Sequence, residues 1–196
     1  MNIYYTIIND REDIKGKNRE ALIKYCLNDF VCSKKMNIDV EDLEILRSEG
    51  GKPYVDISNL FFNISHSKDL WVCAVDNLEV GVDIQYRKEI NYKRFSRRFF
   101  TNEEIEYINS DKLDSYLTEI IKFYRIWTVK EAITKYYGLS IFDIMKRSVY
   151  DVESKKFICD NFNLYSFSFM NNYECSVATL QEDSKYNIIE IDSILE

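Results

Sequence analysis

The chain has few histidines and prolines and no long apolar run. His66 is the single histidine among 196 residues, which excludes metal sites built from several histidines. No apolar stretch approaches the roughly 18 residues of a membrane-spanning helix. The N-terminus also lacks a charged segment followed by an apolar one. We therefore expect no membrane span and no secretory signal peptide, and we expect the protein in the cytoplasm.

Cysteine content and net charge argue against disulfides, a zinc site and general nucleic-acid binding. The five cysteines are odd in number and show no Cys-x-x-Cys spacing, which predicts reduced, mostly buried thiols and neither disulfides nor a zinc site. A net charge of −7 argues against general nucleic-acid binding. The segment from Tyr86 to Phe99 is locally basic, with one acid, Glu89, and six basic residues: Arg87, Lys88, Lys93, Arg94, Arg97 and Arg98. It fits either a solvated helix face or a docking surface for an acidic partner.

Hydrophobic periodicity predicts a mixed α+β protein. In the first half we expect a helix over 18–34 and, in sequence order, strands over 2–8, 43–47, 61–64, 70–75 and 79–85. The last two should form a hairpin around Asp76-Asn77-Leu78, and 61–64 should deliver Ser65-His66-Ser67 to a loop.

The second half should begin near Tyr92. Thr101 and Glu104 have the spacing of a capping box, and Gly138 is suited to end a helix over about 115–137. Strands are then expected at 147–152, 156–158, 164–169, 174–179 and 187–191. We divide the chain into an N-terminal half, 1–91, and a C-terminal half, 92–196, although no internal sequence repeat is visible.

Two short motifs carry candidate chemistry. Trp127, Glu131 and Lys135 follow each other at i, i+4 spacing, so on a helix they share one stripe. Alternatively, Glu131 and Lys135 form an ordinary exposed ion pair that stabilises the helix by about 0.2–0.5 kcal/mol. Asp83 interrupts a β-branched run just after Gly81, where an unpaired charge would be costly. Two carboxylates beside a lysine suit a hard cation that bridges phosphate oxygens.

Two further motifs stand upstream, Gly51-Lys52-Pro53 and Phe62-Asn63-Ile64-Ser65-His66-Ser67. With Val80–Ile84 and Trp127–Lys135, the four in this order resemble the 4'-phosphopantetheinyl transferases. The resemblance is to the larger, single-chain class of the surfactin-synthetase-activating type. It spans Gly51 to Lys135 and continues more weakly through Cys175–Ala178.

The resemblance implies a reaction and an architecture. Members transfer the 4'-phosphopantetheine group of coenzyme A to a serine of an apo carrier protein, with Mg²⁺, and release adenosine 3',5'-bisphosphate. The carriers are acyl or peptidyl carrier domains of nonribosomal peptide and polyketide synthases. The fold implied is two similar α/β half-domains related by a pseudo-twofold, with the active site between them, in a monomer.

The resemblance also assigns roles to residues. It implies Asp83, Glu131 and Lys135 as catalytic residues, with Asp83 and Glu131 as magnesium ligands. The general base is left open between Glu131 and a metal-bound hydroxide. Gln85 stands where many members have a metal-binding glutamate, so we expect it to ligate more weakly or to yield its place to water. The expected coenzyme A contacts are Arg19, Lys52, Pro53, Ser65, His66, Ser67, Lys130 and Lys135.

Several readings stay open at this stage. Trp127 is expected to pack in the core, and a lone histidine such as His66 is often only a satisfied polar residue. The N-terminus is shorter than in larger members, so Arg19, and more loosely Lys15 and Lys17, are the candidates for the 3'-phosphate. The carrier should dock near Arg87–Arg98. The alternatives are a degenerate homologue that binds coenzyme A or a carrier without catalysis, and a nucleic-acid-binding module that uses the 87–98 cluster.

Overall fold

The computed structural model describes residues 1–8, 15–110, 116–180 and 185–191. The first part of the chain contains these elements: β1 (Asn2–Ile7), α1 (Gly16–Ser33), β2 (Leu46–Arg47), β3 (Pro53–Tyr54), β4 (Phe61–Ser67), β5 (Leu70–Asp76) and β6 (Val80–Tyr86). The second part contains these: α2 (Tyr92–Phe99), α3 (Asn102–Asn109), α4 (Tyr116–Tyr137), α5 (Ile141–Ile144), β7 (Tyr150–Asp151), β8 (Lys156–Phe157), β9 (Asn163–Phe169), β10 (Tyr173–Thr179) and β11 (Asn187–Glu190).

Two main sheets form the framework. The first has the strand order β11-β1-β5-β4 and the second the order β6-β10-β9, while β2–β3 and β7–β8 form two short ribbons. Every pairing is antiparallel except that of β1 with β11. Helix α1 packs on the first sheet and α4 on the second. The mixed α+β class is therefore confirmed.

Each sheet takes a strand from the other part of the chain. Strand β6 precedes residue 91 but pairs with β10 in the second sheet, and β11 returns to pair with β1 in the first. The hairpin predicted for β5 and β6 is thus wrong. Both edges of β5 are already occupied, by β1 and by β4, so β6 cannot add to that strand.

Some strand boundaries also differ from the prediction; β7, for example, covers Tyr150–Asp151 where a strand over 147–152 was predicted. Strand β4 continues through Ser65, His66 and Ser67, and the chain turns only at Lys68, which has a φ of 55°. We had expected these three residues in a loop because they are polar. Strand β2 is limited to Leu46–Arg47, although the sequence predicted a strand from residue 43.

Helix α4 approaches β6 closely because Gly81 has no side chain. A Cβ atom at Gly81 would lie 2.0 Å from the carbonyl oxygen of Ala132 and 2.6 Å from the backbone nitrogen of Tyr136. Glycine is the residue that permits such backbone contact. The close packing places the C-terminal turns of α4 directly over β6, where Asp83 lies.

Several local predictions are confirmed. Thr101 and Glu104 form the capping box that begins α3, and Gly138, with a φ of 69°, follows the end of α4. Trp127 packs against Phe95, with ring centroids 5.2 Å apart. The cysteines are free thiols and all except Cys32 are buried. Within the described residues, no helix is long and apolar enough to cross a membrane.

Candidate active site

Asp83 and Lys135 meet where β6 faces α4. The Lys135 ammonium lies 2.8 Å from Asp83 Oδ1 and 2.7 Å from the Ser65 hydroxyl oxygen. Ser65 in turn donates to Asp83 Oδ1 over 2.7 Å. Asp83 is 1% exposed, so its charge is buried but paired, as a buried carboxylate requires.

Glu131 lies one helical turn before Lys135 and lines the same cavity. Burial raises the pKa of the Glu131 carboxyl from 4.5 to about 7; the nearby Asp83 charge adds to the rise and Lys135 opposes it. Desolvation and a like charge both disfavour the ionised carboxylate. Glu131 is thus a group that can take up a proton near neutral pH.

The cavity that holds these groups has a volume of about 250 Å³. Seven of the predicted site residues line it: Arg19, Ser65, His66, Asp83, Gln85, Glu131 and Lys135. Ile64 and Trp71 complete the wall and were not anticipated. No sequence signal separated them from the ordinary apolar residues of their strands.

Gln85 and Ser67 form an outer layer around Asp83. The Gln85 amide nitrogen donates to Asp83 Oδ2 over 3.2 Å, and the Ser67 hydroxyl donates to Gln85 Oε1 over 3.5 Å. The amide therefore presents its N–H, not its oxygen, to the site. In this arrangement Gln85 orients Asp83, whereas ligation of a metal through Oε1 would require the amide to turn.

Lys52 lies beside the site and is engaged in two interactions. Its ammonium contacts Glu79 Oε1 at 2.6 Å and the carbonyl oxygen of Tyr136 at 2.8 Å. Burial lowers the pKa of the Lys52 ammonium below its usual value, and Glu79 opposes the shift. Lys52 and Pro53 line a second cavity of about 220 Å³, and Lys135 lines both this cavity and the first.

A third cavity, of about 320 Å³, adjoins the N-terminal end of α1. Lys17, Arg19 and Arg47 give it basic walls, with a single acid, Glu20. Arg19 also lines the first cavity and Pro53 the second. Sequence reasoning missed Arg47. The available sequence signal was the turn at Glu49-Gly50-Gly51, across which the structure sets Arg47 opposite Pro53.

Lys130 does not reach any of these cavities, which corrects our expectation of a coenzyme A contact. Its side chain is fully buried and its ammonium lies 2.8 Å from Glu104 Oε1, which is also fully buried. It also donates to the carbonyl oxygen of Met145 over 3.0 Å. Helical spacing turns Lys130 about 100° away from Glu131, and on that side it ties α4 to α3 and to the segment after α5.

The basic segment is divided by the fold. Arg87 is mostly buried and pairs with the buried carboxylate of Glu174, which Arg125 also contacts at 3.1 Å. The other basic residues of the segment are exposed, and four of them lie on α2: Lys93, Arg94, Arg97 and Arg98. The exposed basic surface is thus the α2 helix together with Lys88, and Arg87 anchors it to the second sheet.

The donor set around Asp83 and Glu131 fits one hard cation. In the part of the chain that the structure describes, no three His, Cys, Asp or Glu side chains form a metal cage. Burial is the main cause of the raised pKa of Glu131, and repulsion by the Asp83 carboxylate adds to it. Mg²⁺ is held by one or two carboxylates together with substrate phosphates and water. These two oxygen-bearing side chains on one cavity match that requirement.

Comparison with known proteins identifies the family. Residues 79–186 match the family model described as the 4'-phosphopantetheinyl transferase superfamily. The chain belongs to this superfamily. The matched region contains Asp83, Glu131 and Lys135. The resemblance inferred from the four motifs is thereby confirmed, and with it the enzyme class.

Individual relatives agree with the superfamily assignment. The chain is 32% identical to 4'-phosphopantetheinyl transferase gsp of Aneurinibacillus migulanus over 174 residues, which cover 86% of this chain and 71% of that protein. It is 32% identical to 4'-phosphopantetheinyl transferase Sfp of Bacillus subtilis (strain 168) over 109 residues, 55% of this chain and 47% of that protein. It is 35% identical to a Homo sapiens L-aminoadipate-semialdehyde dehydrogenase-phosphopantetheinyl transferase over 133 residues, which cover 61% of this chain and 42% of that protein. The chain thus spans less than half of the last two proteins.

Proposed function

We propose that this chain transfers the 4'-phosphopantetheine group of coenzyme A to a serine of an apo acyl or peptidyl carrier protein. In this reaction the serine Oγ forms a bond to the β-phosphorus of coenzyme A, and the bond from that phosphorus to the bridging oxygen breaks. Adenosine 3',5'-bisphosphate leaves. The observation that supports this most strongly is the convergence of Asp83, Glu131 and Lys135 on one cavity beside β6.

Asp83 and Glu131 would hold Mg²⁺, which when bound neutralises the pyrophosphate oxygens. Lys135 is placed to stabilise the charge that develops on the leaving bisphosphate. The Lys135 side chain is 29% exposed, its ammonium pairs with Asp83, and the residue lines the cavity. Gln85 keeps the Asp83 carboxylate oriented through its amide N–H.

Glu131 is the proposed general base. Before a metal ion binds, burial and the Asp83 charge raise the pKa of its carboxyl to about 7, and its position on the cavity would let the carboxylate accept the serine hydroxyl proton. A base works best when its pKa lies near the operating pH. The proton then resides on a Glu131 carboxylate oxygen until product release exposes the cavity to water.

Coenzyme A would lie across the three cavities. Arg19 links the first cavity to the third, and Pro53 links the third to the second. We assign the adenosine 3'-phosphate to the basic walls formed by Lys17, Arg19 and Arg47, and the pyrophosphate to the vicinity of His66 and Lys135. Arg47 would then add a third positive charge to the walls around the 3'-phosphate.

The carrier protein would dock on α2 and Lys88, where the exposed basic residues meet an acidic carrier helix by charge complementarity. We also propose the halves 1–91 and 92–196, related by a pseudo-twofold with the site between them, in a monomeric cytoplasmic protein. This proposal is supported by the lining of the first cavity, since β4 and β6 come from the first half and α4 from the second.

Transfer rates with a panel of apo acyl and peptidyl carriers test the proposal. With coenzyme A and Mg²⁺, Asp83→Asn and Lys135→Met should each slow transfer roughly 100-fold or more. The control Lys156→Met removes an exposed ammonium on β8 and should leave the rate unchanged. Equal rates for Lys135→Met and the control would contradict the assigned site. Coenzyme A binding without transfer to any carrier would instead indicate the degenerate homologue.

A further inference from the structure

Strands β4 and β6 lie side by side but are joined through side chains. The backbone N–H of Val82 donates to Asn63 Oδ1 over 2.9 Å, that of Ile84 to Ser65 Oγ over 3.3 Å, and that of Tyr86 to Ser67 Oγ over 2.9 Å. Neither sheet pairs these two strands through the backbone. The boundary between the sheets is therefore closed by polar side chains.

The spacing of the three β4 side chains lets them accept hydrogen bonds from backbone N–H groups of β6. Asn63, Ser65 and Ser67 alternate along β4, so they share one face of the strand. Their partners on β6 also alternate, which is the spacing of N–H groups on one edge of a strand. We call Asn63, Ser65 and Ser67 the polar ladder. It accepts hydrogen bonds from backbone N–H groups on one edge of β6, which would otherwise be buried without partners.

The polar ladder is also connected to the catalytic carboxylate. Ser65 donates to Asp83 Oδ1 and accepts from Ile84 N and from Lys135 Nζ. A hydroxyl has one donor and two acceptor positions, so Ser65 is saturated by protein. Ser67 accepts from Tyr86 N and donates to Gln85, which donates to Asp83 Oδ2. Both oxygens of Asp83 are thus held from the polar ladder.

We infer that Ser65 and Ser67 are positioning residues that fix Asp83 across the boundary between the sheets. The catalytic part of this inference rests on the proposed function, but the structural part does not. Each hydroxyl has a protein acceptor within hydrogen-bond distance: Asp83 Oδ1 lies 2.7 Å from Ser65 Oγ, and Gln85 Oε1 lies 3.5 Å from Ser67 Oγ.

Amide hydrogen exchange measured by NMR tests the structural part without any substrate. Ser65→Ala should speed exchange roughly 10- to 100-fold at Ile84, because it leaves a buried donor unpaired. Ser67→Ala should act at Tyr86 and Asn63→Ala at Val82. Ser65→Thr keeps a hydroxyl and should restore slow exchange at Ile84.

A control variant separates local from global effects. Ser166→Ala removes a hydroxyl on β9 that accepts from Ser176 over 3.0 Å, away from the boundary, and should leave all three β6 amides protected. Faster exchange confined to Ile84 in Ser65→Ala supports the polar ladder. Unchanged exchange there, or an equal rise across the whole of β6 and β10, overturns it.

Steady-state kinetics then distinguish positioning from substrate contact. In Ser67→Ala, whose hydroxyl is less buried, kcat should fall at least fivefold while the KM for coenzyme A changes less than twofold, and Ser67→Thr should recover part of kcat. A rise in KM with an unchanged kcat would identify a coenzyme A contact and overturn the inference. If the wild-type protein transfers nothing, the proposed function fails, and the exchange data still decide the polar ladder.

Discussion

Replacing Lys130 with methionine should destabilise the folded protein but should not weaken the binding of coenzyme A. The ammonium and the Glu104 carboxylate are 2.8 Å apart and both fully buried. Methionine has a similar volume, so it leaves no large cavity, but it leaves the buried charge of Glu104 without its counter-ion. Removing one partner of a buried ion pair costs about 3–5 kcal/mol. That is a large share of the roughly 5–15 kcal/mol that stabilises a typical domain.

Urea and thermal unfolding measure this loss. For a protein of this size, each kcal/mol lowers Tm by about 2–4 °C, so Lys130→Met should lower Tm by roughly 6–20 °C. Lys146→Met is the matched control, because Lys146 is exposed and donates to the carbonyl oxygen of Arg98. The control should change the free energy of unfolding by less than about 0.5 kcal/mol.

A double variant isolates the ion pair. Glu104→Gln keeps one acceptor oxygen, so it can serve one of the two backbone N–H groups that now bind the carboxylate, Thr101 N–H on Oε2 or Val149 N–H on Oε1. Combined with Lys130→Met, it removes both charges, so the double variant should be more stable than the sum of the single losses predicts, by about 1–3 kcal/mol. An unchanged Tm in Lys130→Met, together with a raised KM for coenzyme A, would refute this reasoning and return Lys130 to the binding site.

Three other predictions concern the site and its support. Folding raises the pKa of Glu131 from 4.5 to about 7, so the folded state binds the Glu131 proton more tightly than the unfolded state does. The stability gained in this way is present in full below about pH 4.5 and is lost as pH rises through about 7. In EDTA, Glu131→Gln should therefore be more stable than the wild type at pH 8 by about 1–2 kcal/mol, allowing for partial solvent screening, and little changed at pH 4; equal urea midpoints at pH 8 would contradict this. Gly81→Ala places a Cβ 2.0 Å from the carbonyl oxygen of Ala132 and should cost about 1–3 kcal/mol or more in thermal unfolding; an unchanged Tm would show that α4 does not pack this closely. Arg47→Ala should raise the KM for coenzyme A roughly tenfold through loss of a charged contact and leave that for dephospho-coenzyme A unchanged, whereas equal effects on both substrates would exclude a 3'-phosphate contact.

Local signals in the sequence predicted the elements well. The capping box at Thr101 and the glycine at Gly138 locate the helices correctly because caps depend on residues within a few positions. The spacing of Glu131 and Lys135 predicted that both lie on one face of α4. The family motifs predicted that Asp83 acts with them, and all three line the same cavity. These features follow from periodicity and from family motifs that lie within single elements.

Features that depend on distant partners were not predictable in the same way. That β6 pairs with β10 is decided by which strand edges remain free, which no local pattern records. Ser65 and Ser67 were assigned to a loop because polar residues in a strand need partners, and those partners are on β6. Lys130 was misassigned since its partner, Glu104, is 26 positions away and buried with it.

The most direct test of the central claim is the intact mass of an apo carrier protein incubated with the wild-type protein, coenzyme A and Mg²⁺. We predict a gain of one phosphopantetheine group on the carrier serine, abolished by EDTA and by Glu131→Ala. A carrier whose serine is replaced by alanine should gain nothing. No gain on any apo carrier, despite measurable binding of coenzyme A, would contradict the assignment of Asp83, Glu131 and Lys135 as a working catalytic site.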